Sequence, residues 1–131
     1  MSMINIEWSE ELSVGVEAID ADHRKLVSLV NELFSAFFIG VGDEAVGAIL
    51  TEVIDYTRHH FAREEALLNR LGSSDLAYHA EEHRQLTEQV LAISCQGASA
   101  LSEDVLLFLR EWLAHHIMGT DRSSFLPYRS V

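Results

Sequence analysis

Apolar side chains recur every three or four residues in four separate segments of the chain, the spacing that gives an α-helix one apolar face. Breaks that contain glycine or serine separate these segments. Short connections between amphipathic helices favour an all-α fold, an antiparallel up-down four-helix bundle. The predicted helices cover about 20–40, 43–71, 75–95 and 102–119.

Polar residues that can cap a helix stand at several of the predicted starts. The candidates are Asp20 or Asp22 for the first helix, Asp43 for the second and Ser102 for the fourth. Residues 1–19 show no helical period and are expected to form an ordered N-terminal arm that packs through its apolar side chains. Residues 120–131 are expected to form a short C-terminal tail, in which Pro127 prevents a long helix. The 131 residues are therefore expected to form a single domain, with its bundle over about 20–119.

The formal net charge is −12, and the chain has no basic cluster. Nucleic acids and anionic membrane surfaces are therefore not expected as partners. The most apolar run, residues 34–41, is too short to span a bilayer, and the N-terminal segment lacks the basic and apolar regions of a signal peptide. Cys95, the single cysteine, cannot form an internal disulfide and fits a reducing compartment. We expect a cytoplasmic protein without membrane insertion.

The chain has seven histidines, and their positions matter more than their number. A lone histidine is usually a solvated or hydrogen-bonded residue with no further role. Here five histidines replace an apolar residue on an inward stripe, and every predicted helix carries at least one of them: His23, His60, His79, His83 and His116. His59 and His115 lie about 100° around the helix from their neighbours and are expected on the surface.

Two pairs of polar residues with i,i+4 spacing lie on these stripes, His60 with Glu64 and His79 with His83. Side chains four residues apart lie one above the other on a helix and can reach the same metal ions. An imidazole or carboxylate buried without a partner costs several kcal/mol, and a metal ion would satisfy both groups. One such pair is a weak signal, but two pairs together with inward histidines on both other helices indicate a metal centre.

Asp121 is a further candidate ligand whose orientation the residues alone leave open. It follows His116 by five residues, about 140° around a regular helix, so the two side chains would not share a face. A π-type turn or a helix end near Gly119 would bring the carboxylate inward. Alternatively, Asp121 merely begins the C-terminal tail.

Five imidazoles and two carboxylates, with no thiolate, argue against an iron–sulfur cluster and against a cysteine-type zinc site. Seven ligands are too many for one ion, so two ions are expected. If both carboxylates and one solvent-derived oxygen bridge the ions, an octahedral pair is left one ligand short. An uneven division of the histidines places this open position on the ion with two of them. The ligand types favour iron over zinc, and the low number of carboxylates favours reversible oxygen uptake over oxygen–oxygen cleavage.

Over nearly its whole length the chain resembles the hemerythrin family, in particular the short stand-alone bacterial form, bacteriohemerythrin. The matching residues are Trp8, Ser13-Val14-Gly15-Val16, Ile19-Asp20-x-x-His23, His60-Phe61-x-x-Glu64-Glu65, His79-x-x-x-His83 and Trp112-Leu113-x-x-His116-Ile117-x-x-x-Asp121. The sequence departs from relatives at Ser73-Ser74, where Tyr-Pro is frequent, and at Ser124, where an aromatic residue is common.

The resemblance implies two non-haem iron ions with a bridging oxo or hydroxo group, in a four-helix bundle that binds O2 reversibly. One iron would be held by three histidines and the other by two, with Glu64 and Asp121 as bridges, which implies that Asp121 faces inward. The three-histidine iron would use His79, His83 and His116, and the other would use His23 and His60. The resemblance further suggests that Phe61, Trp112, Leu113 and Ile117 wall the oxygen pocket, although plain core packing would also explain these four.

The sequence thus favours an oxygen carrier, store or supplier that is not an enzyme. One alternative is an O2 or redox sensor that acts through a separate protein partner. Another is a di-iron enzyme that turns over peroxide or nitric oxide, or that oxidises ferrous iron. A fold-level resemblance alone does not decide among these functions.

Overall fold

A computed structural model of the protein describes residues 6–97, 99 and 101–128. Four long helices joined by short connections form the described part, as the hydrophobic pattern predicts. This confirms the all-α four-helix bundle. Their bounds are α1 Glu17–Ile39, α2 Asp43–Arg70, α3 Leu76–Cys95 and α4 Glu103–His115. No helix in the described ranges is long and apolar enough to cross a membrane.

The first helix begins earlier than predicted, and neither Asp20 nor Asp22 caps it. Helix α1 begins at Glu17, within the expected arm, and its N-cap residue is Val16. The Asp20 carboxylate accepts hydrogen bonds from the Ser13 hydroxyl (2.6 Å) and the Val14 N–H (2.8 Å), so it fastens the arm to the helix. The prediction failed because a carboxylate that ties down a preceding loop has the same sequence signature as a helix cap.

The other predicted helix boundaries have mixed outcomes. Helix α1 ends as predicted at Gly40, which has the left-handed φ of 81° that terminates many helices. Asp43 is the first residue of α2 rather than its cap, because Gly42 occupies that position. Ser102 does cap α4, since its side chain accepts a hydrogen bond from the Val105 N–H.

The predicted end of the bundle near residue 119 is wrong. A π-helical turn follows α4 over His116–Asp121, and a short helix, α5, continues over Arg122–Phe125. A 3-10 turn at Leu126–Tyr128 then contains Pro127. Residues 120–128 of the expected short tail are therefore helical, and its remainder, 129–131, lies outside the described residues.

The buried apolar side chains form one large cluster along the bundle and a small one at the end where the arm joins α1. The small cluster consists of Val14, Ile19, Leu68 and Phe125. On α1, on α2 and on the segment from α4 to α5, the inward histidines and acids have a residue of the small cluster on one side and residues of the large cluster on the other. A layer of polar side chains thus crosses the bundle between two apolar layers.

Candidate metal centre

All seven side chains proposed as ligands converge in this polar layer, and all are buried. Their ligating atoms fall into two overlapping groups, within each of which the atoms lie within 4.8 Å of one another. The first group contains three histidines and the second contains two, and both groups share Glu64 and Asp121. The groups are His79, His83 and His116 on one side, and His23 and His60 on the other.

The Glu64 carboxylate points one oxygen at each group. Its Oε2 lies 3.0 Å from His23 Nε2 and 3.1 Å from His60 Nε2. Its Oε1 lies 3.3 Å from His79 Nε2 and 3.1 Å from His83 Nε2. Glu64 is therefore placed between the two groups.

The Asp121 carboxylate repeats this division. Its Oδ2 lies 3.0 Å from His23 Nε2, while its Oδ1 lies 2.7 Å from His79 Nε2 and 3.0 Å from His116 Nε2. The π-helical turn over His116–Asp121 makes this possible, because a wider turn brings residues five apart onto one face. Of the two orientations that the sequence left open, the inward one is found.

The polar atoms in this layer lie close together, yet several of them are poorly satisfied. Both Asp121 oxygens and His60 Nε2 are buried without a hydrogen-bond partner among the described residues. Their neighbours are within 3.1 Å, so the angles rather than the distances are unsuitable. Buried ligand atoms that lie this close together without hydrogen bonds fit a bound cation. Imidazole nitrogens and carboxylate oxygens are also a donor set that binds iron.

The charges of the metal-free cluster are strongly coupled. Burial lowers the pKa of His23 and His79, but the close carboxylates of Asp121 and Glu64 outweigh it and raise both pKa values to about 10. Burial opposes ionisation of Glu64, yet hydrogen bonds from the surrounding imidazoles, His23 foremost, bring its pKa well below the ordinary value. Burial and the neighbouring Glu64 charge oppose ionisation of Asp121, but the nearby imidazoles, His116 foremost, lower its pKa. In the metal-free cluster, protonated imidazoles compensate the charge of the two carboxylates, and bound metal ions would do the same.

Four of the five imidazoles have a hydrogen-bond partner for Nδ1, the ring nitrogen that faces away from the cluster. These partners were not predicted from the sequence. The Nδ1–H groups of His60 and His83 donate to Asp22 (3.0 Å) and Glu65 (2.9 Å). Such partners fix the orientation of a ligating imidazole. The remaining two pairs are His116 with Glu82, and His79 with Ser124 at 2.9 Å. The only sequence signal for these partners was their nearness to ligand positions along the chain, which is too general to single them out.

Three of the four residues expected to wall an oxygen pocket line an apolar cavity of about 40 Å³: Phe61, Trp112 and Leu113. Ile117 is buried but does not line that cavity. The Phe61 ring stacks on His83 with centroids 3.7 Å apart, and the Trp112 ring stacks on His116 at 4.6 Å.

The cavity lies one helical turn from the cluster on all four helices. Its lining includes residues three positions from an inward histidine on each helix, namely Leu26, Thr57, Leu86 and Leu113. His59 and His115 are exposed, as predicted for histidines outside the stripes.

The four-helix bundle thus gathers five histidines and two shared carboxylates into a buried cluster that could hold metal. The family model described as "Hemerythrin HHE cation binding domain" matches residues 14–125. The match spans most of the chain, and the chain belongs to the hemerythrin family.

Relatives and solved structures agree with this assignment. A bacteriohemerythrin of Stenotrophomonas maltophilia (strain R551-3) is 32% identical over 123 residues, covering 92% of this chain and 80% of the relative. A hemerythrin-like protein of Naegleria gruberi is 27% identical over 124 residues, covering 95% of this chain and 91% of the relative. A crystal structure of wild-type hemerythrin superposes with a TM-score of 0.84 at 28% identity, covering 90% of this chain and 93% of that one.

Proposed function

We propose that the protein binds O2 reversibly at two non-haem iron ions and serves as an oxygen carrier, store or supplier rather than as an enzyme. The observation that carries the proposal is the division of both carboxylates between the two histidine groups. Two ferrous ions held there would supply the pair of electrons that reversible O2 binding draws on.

The seven residues would share the ions unequally. His79, His83 and His116 would hold one iron and His23 and His60 the other, with Glu64, Asp121 and an oxo or hydroxo group as bridges. The two-histidine side offers one protein ligand fewer, and it is there that a small molecule would find a free position. Burial of all seven side chains keeps bulk water and large substrates away from this position.

The apolar cavity would give O2 a dry place beside the centre. Its volume of about 40 Å³ exceeds the roughly 10–15 Å³ that one water molecule needs, but a water also requires two or more polar partners. Apart from Thr57 and Trp112, every lining residue has a hydrocarbon side chain. The Thr57 hydroxyl already donates to the Val53 carbonyl at 2.7 Å, which leaves little to hold a water. A non-polar diatomic gas such as O2 would be accepted where water is not.

The test is a cycle of oxygenation and deoxygenation on the reduced, iron-loaded protein. Exposure to air should produce a visible absorption band, argon should remove it, and repeated cycles should return the full amplitude. Irreversible oxidation on first contact with air would refute reversible binding. Continuous consumption of peroxide or nitric oxide beyond one equivalent per centre would instead support an enzyme.

A further inference from the structure

The two halves of the cluster differ in the hydrogen bonds that orient their imidazoles at Nδ1, the ring nitrogen that faces away from the cluster. Each of the three imidazoles in the group His79, His83 and His116 has an Nδ1 partner, as described above. In the other group only His60 has one, and His23 Nδ1 is buried without a hydrogen-bond partner in the part of the chain that the structure describes. The ring of His23 is held only by packing and by the cluster itself.

The charges behind the two halves differ as well. Behind the three-histidine half, Glu65 and Glu82 contact imidazoles directly, and the Ser124 hydroxyl links His79 to the Asp75 carboxylate by a hydrogen bond of 3.2 Å. Behind the two-histidine half, Asp22 is the one carboxylate among the described residues that contacts an imidazole Nδ1, and its Oδ2 also lies 3.2 Å from the Arg63 guanidinium. That cation offsets the charge of Asp22 and repels a metal ion, so the field on this side is less favourable to a cation.

We infer that the two metal ions bind with unequal affinity, and that the ion on the side of His23 and His60 arrives last and leaves first. The inference rests on the proposed dinuclear centre. Three imidazoles that are already oriented by Nδ1 hydrogen bonds lose less conformational freedom on binding a metal than a pair in which only His60 has such a bond. Loss of a single outer partner typically lowers metal affinity about 10- to 100-fold, so the missing partner of His23 alone predicts a difference of this order. The second ion is also repelled by the first across the shared carboxylates.

A chelator competition on the full chain loaded with Co²⁺ tests the inference without reference to oxygen. The loaded protein is titrated with a chelator, bound cobalt is counted by elemental analysis, and helix content is followed by circular dichroism. We expect about one Co²⁺ per chain to leave at a chelator concentration at least about tenfold below that needed for the other. Loss of both ions in a single step would overturn the inference and leave the dinuclear centre standing. A maximum of one Co²⁺ per chain at saturation would overturn both.

Outer-partner variants identify which ion leaves first. Asp22→Ala, with Asp22→Asn as the milder change, should ease release of the first ion and leave the retained ion unchanged. Ser124→Ala should ease release of the retained ion by about 10- to 100-fold, because His79 loses its partner. Ser123→Ala, an exposed neighbour of Ser124, is the matched control and should change neither step. If Ser124→Ala loosened only the first-leaving ion, the order proposed here would be reversed and the inference wrong.

Discussion

Shortening Leu113 to alanine would enlarge the apolar cavity next to the metal centre. Leu113 lines this cavity of about 40 Å³ and is only 6% exposed. A buried leucine-to-alanine change lowers the free energy of unfolding by about 3 kcal/mol, partly through the cavity that is left. Because Leu113 lies one turn before His116, the added space extends toward the imidazoles. Their polar atoms would give water the partners that the present lining lacks.

The functional expectation for Leu113→Ala is faster loss of the oxygenated state. Water that reaches the centre would promote irreversible oxidation of the iron, so the visible band should decay faster in air than it does in the unmodified protein. The assay is the first-order decay of that band at a temperature where both proteins remain folded.

A matched control distinguishes the effect of enlarging the cavity from the general effect of destabilising the core. Leu106→Ala removes the same atoms from a fully buried position on the same helix, but Leu106 does not line the cavity. It should destabilise the protein by a similar amount, about 3 kcal/mol, and leave the decay rate unchanged. Equal decay rates in Leu113→Ala and the unmodified protein would show that Leu113 is an ordinary core residue with no role in protecting the oxygenated state.

Four further expectations follow from the site and the helix caps. His60→Ala should abolish O2 uptake, since His60 is one of two imidazoles on its side, and a normal spectrum in air would contradict the assignment. Ser102→Ala should lower the free energy of unfolding by about 1 kcal/mol in a urea titration, because α4 loses its cap, and an unchanged value would show that the cap contributes nothing. Metal binding near neutral pH should release protons, because the imidazoles of His23 and His79, with pKa values of about 10, must become neutral. Calorimetry in buffers of different ionisation enthalpy measures this release, and a binding enthalpy that is the same in every buffer would contradict it. In the metal-free protein the raised pKa values of His23 and His79 stabilise the fold, and this contribution is complete below pH 6.5, the ordinary histidine pKa. The free energy of unfolding in urea should therefore fall as the pH rises from 6.5 through about 10. A value that stays constant over this range would contradict the raised pKa values.

Sequence analysis predicted the bundle because each helix buries one stripe, and the period of that stripe survives in the residue order. The same reasoning placed the inward histidines, since a polar residue on an apolar stripe is unusual enough to notice. The orientation of Asp121 could not be derived in this way. A regular helix turns it away from His116, and only the π-helical turn of the folded chain brings it in. The resemblance to hemerythrins, rather than geometry, pointed to the inward orientation.

Features that depend on tertiary contacts were missed or misread. Asp20 and Asp22 looked like helix caps, but Asp20 fastens the adjoining arm through a contact six residues away, and Asp22 supports His60, which is 38 residues away in the sequence. Ser124 seemed to be a simple departure from relatives, yet its hydroxyl contacts His79 across 45 positions of sequence. The end of the bundle was placed too early because Gly119 resembles a helix stop, whereas here it lies inside the π-helical turn.

Reversible O2 binding at two irons can be tested by counting iron per chain and recording the visible spectrum of the same reduced sample under argon, in air and under argon again. We expect two irons per chain and a band that appears in air and vanishes when oxygen is removed, over several cycles. One iron per chain, or a spectrum that changes once in air and never returns, would contradict this expectation.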